Sequence, residues 1–261
     1  VAYSNGRFPV IMNLIGNAHN YMHLVKRWRE LGRKVGLRIR KFATMDGLPC
    51  YELSSKRDIS ECQLYLSAGI HGDEPAGTEG LFAWATKNCK ILSRVPVVIY
   101  PCLNPWGLLE NSRFTLEGKD LNRQWDKGED VSIAEIIQKT MGAQFSLAVN
   151  LHEDYDAHGI YLYEPPTVKK RDNLASQILE SGSEYITIDS RKKIEGRWAR
   201  KGIIRPAPSS LPKEGLPEAA FLQEWRAERT FVFETPSELD LQVRVQAQVA
   251  MLDHAVTKLL L

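Results

Sequence analysis

Gln63-Leu64-Tyr65-Leu66-Ser67-Ala68-Gly69-Ile70-His71-Gly72-Asp73-Glu74-Pro75-Ala76-Gly77 is the stretch on which the reading of this chain turns. It begins as an apolar run of strand length and turns over at Gly69. It then sets His71 and Glu74 three residues apart, with Pro75 and Ala76 suited to open a helix. A buried strand that ends in an imidazole and a carboxylate at the head of a helix is a rigid platform with two metal-ligand groups. Zinc takes such nitrogen and oxygen donors, and a catalytic zinc keeps three protein ligands and one open position. Taken alone, the pair equally fits a helix-capping Glu74 beside a surface histidine. The rest of the chain therefore has to supply a third ligand.

Working outward, a helix is expected from Asn17 to Leu31, closed by Gly32, because Tyr21, Leu24, Val25, Trp28 and Leu31 recur at helical spacing. A short strand is expected at Val10–Ile15. Two more, Leu37–Phe42 and Pro49–Leu53, flank an Asp46-Gly47 turn. Downstream of the ligand stretch come a helix over Pro75–Asn88, a continuous apolar strand at Pro96–Pro101, and a long polar loop from Asn104 to Trp125. A helix at Ile133–Met141 and a buried strand at Phe145–Leu151 follow, then a short strand at Ile160–Tyr163, a helix at Asp172–Ser181 and a strand at Tyr185–Ile188. Arg197–Pro217, basic and holding four prolines, reads as an irregular surface excursion. Phe231–Phe233 is a strand and Leu239–Leu260 a closing helix.

Strands alternating with helices predict an α/β fold: a single-domain α/β/α sandwich over residues 1–261, with a central mixed, largely parallel sheet. In such sheets ligands bind beyond the carboxyl ends of the strands. His71, Asn104, His152 and Glu234 each follow an apolar strand, so four polar groups converge on one sheet edge.

The chain has 261 residues, 43% of them hydrophobic, enough for one sizeable core. Its 34 basic and 32 acidic residues nearly cancel, which argues against a nucleic-acid-binding protein. No apolar run approaches the ~18 residues that span a bilayer. No basic segment followed by an apolar one stands at the N-terminus, so no signal peptide is expected, while a start at Val1 fits a trimmed end. Cys50, Cys62, Cys89 and Cys102 are scattered and form no Cys-x-x-Cys pair; free thiols in a cytoplasmic protein are the expectation. The oligomeric state is not legible.

His152, closing the Leu147–Leu151 run, completes a His, Glu, His set with one coordination position left for water. With it the chain resembles the zinc carboxypeptidase superfamily, which includes succinylglutamate desuccinylase and aspartoacylase. The resemblance rests on Gly69-Ile70-His71-Gly72-Asp73-Glu74, Asn104-Pro105-Trp106-Gly107, Asp120-Leu121-Asn122-Arg123, His152 and Phe233-Glu234, in that order, and spans roughly residues 60 to 240. It implies one Zn2+ held by His71, Glu74 and His152. It implies Glu234 as the general base that takes a proton from water and returns it to the leaving amine. Arg113 resembles the arginine that stabilises the oxyanion, and Asn122 with Arg123 the pair that grips a substrate carboxylate. A guanidinium is a planar fork that matches a carboxylate. Tyr161 and Tyr163 are candidates to offer a phenol to substrate, with packing as the competing fate.

The run His152-Glu153-Asp154-Tyr155-Asp156-Ala157-His158 exceeds the minimal pattern. Glu153 or Asp154 could hold a ligand imidazole, the run could be a solvated acidic loop, or Asp154 and His158 could take a second metal. The implied activity is zinc-dependent hydrolysis of an amide next to a free carboxylate in a small peptide. The rivals are an N-acyl amino acid deacylase, with the same metal chemistry, and a catalytically silent metal-binding module. Specificity loops are expected over about residues 160–217, where Arg191, Lys192, Lys193, Arg197, Arg200 and Arg205 could favour acidic side chains or equally form a solvated basic surface.

Overall fold

The computed structural model describes residues 17–166, 172–207 and 210–261; the strand expected at Val10–Ile15 lies outside them. Helix α1 runs Tyr21–Val35, with the Asn20 side chain capping the His23 N–H. Its end falls at Gly36, whose φ of 77° gives the left-handed cap, and not at Gly32 as expected. Gly32 instead lies inside the helix, where an added Cβ would come within 3.1 Å of the Leu53 side chain. The packing distance, not the helix end, explains that glycine.

Strands β1 (Arg38–Met45) and β2 (Leu48–Ser54) pair antiparallel across Asp46 and Gly47, both at positive φ as such a hairpin turn requires. Strand β3 (Leu64–Ala68) feeds α2 (Pro75–Lys87), the short α3 (Cys89–Leu92) and β4 (Val97–Tyr100). The polar stretch after Asn104 is not a loop throughout. It holds α4 (Pro105–Glu110), capped by the Asn104 side chain, and a short 3-10 turn at Leu121–Arg123. Helix α5 (Val131–Lys139) precedes β5 (Leu147–Asp154), which runs past His152. Strand β6 (Tyr161–Tyr163) leads to α6 (Leu174–Gly182). The strand expected at Tyr185–Ile188 is reduced to one bridge, between Ile188 and Ile160.

Strand β7 (Lys193–Ile194) precedes the excursion expected at Arg197–Pro217, within which β8 (Arg197–Arg200) and β9 (Ile203–Ile204) form; the three extend the sheet. Then come α7 (Glu218–Trp225), β10 (Thr230–Pro236) and α8 (Leu241–Leu260).

The strand order is β1-β2-β4-β3-β5-β10-β6-β9-β8-β7. The four central strands, β4, β3, β5 and β10, run parallel. Antiparallel pairings dominate the two flanks. Alternation along the strands divides the core. Leu64, Leu66, Val149, Leu151, Phe231 and Phe233 pack with α1, α2, α6 and α8, while Tyr65, Tyr100 and Ala148 pack with α5 and α7 on the other face. Burial on both faces is why the central strands read as unbroken apolar runs. Cys50, Cys62 and Cys102 are buried free thiols, and Cys89 is a partly exposed one. No helix among the described residues is long and apolar enough to cross a membrane.

Candidate metal centre

The three candidate ligands come from two adjacent strand ends. His71 and Glu74 stand on the loop between β3 and α2, and His152 on β5 beside β3. Their ligand atoms lie within 4.8 Å of one another, and all three residues are buried. His71 Nδ1 is 2.6 Å from Glu74 Oε1, and His152 Nδ1 is 2.8 Å from Glu74 Oε2. The two imidazoles thus turn the same nitrogen toward one carboxylate, with ring centroids 5.0 Å apart. A buried N, N, O set of this kind fits a divalent cation. Burial pushes the Glu74 carboxyl up, but the two histidines outweigh it and hold it below its ordinary range. Burial also pulls the His71 imidazole down, and Glu74 and Asp120 more than reverse this. The anionic carboxylate between the rings is what a cation would meet.

Asp120 is a residue whose role the sequence reading missed. Its Oδ1 lies 3.3 Å from His71 Nε2, fixing the ring from the side away from the cluster. Its Oδ2 accepts from Arg113 Nη2 at 3.0 Å. The signal was present, since Asp120 opens the Asp120-Leu121-Asn122-Arg123 phrase. Neither Glu153 nor Asp154 holds a ligand imidazole. Glu153 accepts the Ala76 N–H at 2.7 Å and pairs with Arg244 at 2.5 Å. It anchors the head of α2, and with it the segment bearing Glu74. One turn on, Gln248 donates to the His152 carbonyl at 2.8 Å and to Thr235 Oγ1 at 3.2 Å. Helix α8 therefore ties together the three segments around the centre.

The Asp154 carboxylate accepts from the Tyr161 hydroxyl and the Asp156 N–H, and the His158 N–H donates to Asp189. Among the described residues, Asp154 and His158 do not belong to a group of three or more candidate ligand residues. Among the described residues, His71, Glu74 and His152 are the grouped set.

A cavity of about 350 Å³ opens beside the centre, lined among others by His71, Glu74, His152, Glu234, Arg113, Asn122 and Arg123. Glu234 sits opposite His152 in the parallel register of β10 on β5, on the same face of the sheet. It is 7% exposed, and its Oε2 makes no hydrogen bond. Burial, then the charge of Glu74, hold its carboxyl well above the usual range. Gly72 makes the approach of the arginine loop possible: its N–H donates to the Ser112 carbonyl, and an added Cβ would fall 1.9 Å from the Gly107 carbonyl carbon. Asn122 Oδ1 accepts the Glu218 N–H, leaving its amide NH2 as the donor on the cavity side. Arg123 bends back to the Asn122 carbonyl.

The tyrosines part company. Tyr161 is fully buried, spends its hydroxyl on Asp154 and does not line the cavity. Tyr163 lines it and donates to Glu195. Arg191 pairs with Asp189, Arg205 with Glu164, and of the six expected cations Arg197 is the one that lines the cavity.

Comparison with known proteins extends the resemblance. Residues 60–163 match the succinylglutamate desuccinylase/aspartoacylase catalytic domain. Carboxypeptidase 2 of Trichophyton tonsurans is 29% identical over 131 residues, 44% of this chain and 22% of its own length, so the match spans about a fifth of that relative. A candidate metallopeptidase from Shewanella denitrificans superposes with a TM-score of 0.81 at 20% identity, covering 93% of this chain and 91% of the other. A metallo-carboxypeptidase from Burkholderia cenocepacia gives 0.60 at 12% identity, over 90% and 68%.

Proposed function

We propose that this chain, whose fold and matched segment support the zinc carboxypeptidase superfamily, is a metal-dependent hydrolase of an amide next to a free carboxylate. One observation carries the reading: three buried ligand groups face the same cavity as two arginines and a buried carboxylate, one oxygen of which makes no hydrogen bond. Zinc bound by His71, Glu74 and His152 would supply a Lewis acid and a water of lowered pKa.

The chain's own groups would do the rest. Arg123 and the Asn122 amide bind the substrate carboxylate, and the Asn122 side-chain Oδ1, accepting the Glu218 N–H, leaves the NH2 as the donor. Arg113, braced by Asp120, meets the negative charge that grows on the carbonyl oxygen. Glu234, its affinity for a proton raised by burial, takes one from the attacking water and delivers it to the leaving nitrogen. The matched family segment equally supports the deacylase reading, in which the acyl group is small and not peptidic.

Metal content per chain, measured on protein purified without chelators, tests the centre. About one zinc per chain, lost in His71→Ala, is expected. Turnover of peptides and N-acyl amino acids by the loaded protein then tests the activity. A chain that neither holds metal nor regains it on adding zinc would end this reading.

A further inference from the structure

Strands β7 and β8 form a hairpin whose turn is Glu195 and Gly196, at φ of 48° and 73°. Turns with two central residues at positive φ are ordinarily made of Asn, Asp or Gly, because a longer side chain crowds the left-handed backbone. A glutamate there is an outlier, and outliers of this kind gather at ligand sites. Its carboxylate does not fold back on the turn. It accepts the hydroxyl of Tyr163, across on β6. Ile194 and Ile204, both buried, pack with Tyr161 and Tyr163 and fix the base of the hairpin.

Glu195 and Tyr163 line the same cavity as Glu234. The register sets them close to the chemistry: on the strand next to β10, Tyr161 lies opposite Glu234 and Tyr163 opposite Val232. Among the described residues no cation is paired with Glu195. Arg197, two residues on, gives its Nη1 to the Ser210 carbonyl and hydroxyl. Glu153, also on the cavity wall, is already paired with Arg244. The charge of Glu195 also reaches Glu234 and helps push that carboxyl up. The cavity thus has a cationic end at Arg113 and Arg123; on its other side, where Arg197 and Glu224 also line it, Glu195 has no paired cation among the described residues.

We infer, on the amide-hydrolase reading above, that Glu195 receives an ammonium group of the substrate, so that the chain prefers short peptides with a free amino group near the scissile amide over N-acylated amino acids. A zwitterion satisfies both ends, its carboxylate on Asn122 and Arg123 and its ammonium on Glu195. An anionic acyl group would meet Glu195 as a like charge, and a neutral one would leave that carboxylate without a cationic partner. Tyr163 is a positioning residue that holds the carboxylate over the cavity.

The test is kcat/KM of the zinc-loaded protein on Ala-X dipeptides and Ala-Ala-X tripeptides, with X varied. Each is assayed with its amino group free, acetylated or succinylated. Wild type is expected to favour the free amine by about tenfold or more, the scale of one charge-assisted hydrogen bond. Glu195→Gln should bring that ratio close to one while changing turnover of the acetylated forms far less, with an unchanged melting temperature. Tyr163→Phe should lower the ratio in part. A wild type that favours the acylated forms, or a ratio that Glu195→Gln leaves untouched, overturns the role of Glu195 and keeps the hydrolase. No turnover of any of these substrates by zinc-loaded protein overturns both.

Discussion

The centre of the sheet and its far flank are built on different terms. At the centre, β3, β5 and β10 are parallel, buried on both faces, and hold His152 and Glu234 in register on adjacent strands. Buried polar ties back them up: Glu153 to Arg244, Gln248 to His152, and Tyr65 to Glu218 at 2.7 Å. On the flank, β7, β8 and β9 are two to four residues long, turn through positive φ at Glu195 and Lys201, and leave Trp198 72% exposed. Chemistry needs atoms held in place, and the doubly covered centre holds them. Recognition has to differ from one substrate to the next, and a thin antiparallel edge can change without disturbing the core.

The comparison breaks first at Glu234. Glu234→Gln should lower kcat/KM by about 10²–10⁴-fold, the usual loss on removing a general base, with metal content unchanged. Full activity in that variant would remove the centre's claim to the chemistry. Next is the buried clamp. Arg244→Met leaves the Glu153 carboxylate without its partner in the core and should cost about 3–5 kcal/mol in denaturant unfolding. The double variant with Glu153→Gln should recover much of that, and failure to do so would mean the ion pair is not what matters there.

A third test is the pH dependence of stability. Burial pushes the Glu218 carboxyl from 4.5 up to about 7, against its bonds to Tyr65 and Ser67. A carboxyl raised by folding gives stability that is present in full below its unfolded value and is lost as pH rises through the folded one. The melting temperature should therefore fall between about pH 5 and 8, and Glu218→Gln should flatten that fall by on the order of 2 kcal/mol. Glu153, also raised to about 7, leaves a residual slope. An unflattened curve would mean that water reaches Glu218. The smallest effect belongs to the flank. Trp198→Ala should shift stability by no more than about 0.5 kcal/mol. A larger loss would mean that the hairpin is part of the core.

Much of the centre was legible in the residues. Apolar runs ending in His71, His152 and Glu234 placed three functional groups at strand ends, because a doubly buried strand leaves a plain mark in sequence. Gly32 misled, since a glycine inside a helix and one that ends it look alike until the neighbouring Leu53 is known. The flank was harder to read. Strands of two residues carry no periodicity, and the prolines of Arg197–Pro217 suggested a loop where β8 and β9 form.

The sequence by itself determined the alternating α/β order, because burial restricts which residue types can stand at a strand or helix position. The resemblance carried by its ordered motifs pointed to His71, Glu74 and His152 as a set, with Glu234 beside them. Tertiary structure alone decided that Asp120 braces both His71 and Arg113. It also decided that Glu153 faces Arg244 and not a ligand, and that a segment rich in arginine sets Glu195 at the cavity. Each of these is a pairing across the fold. Charges far apart in sequence cancel or survive according to which partner the packing brings within reach, and a count of basic residues along the chain does not contain that information.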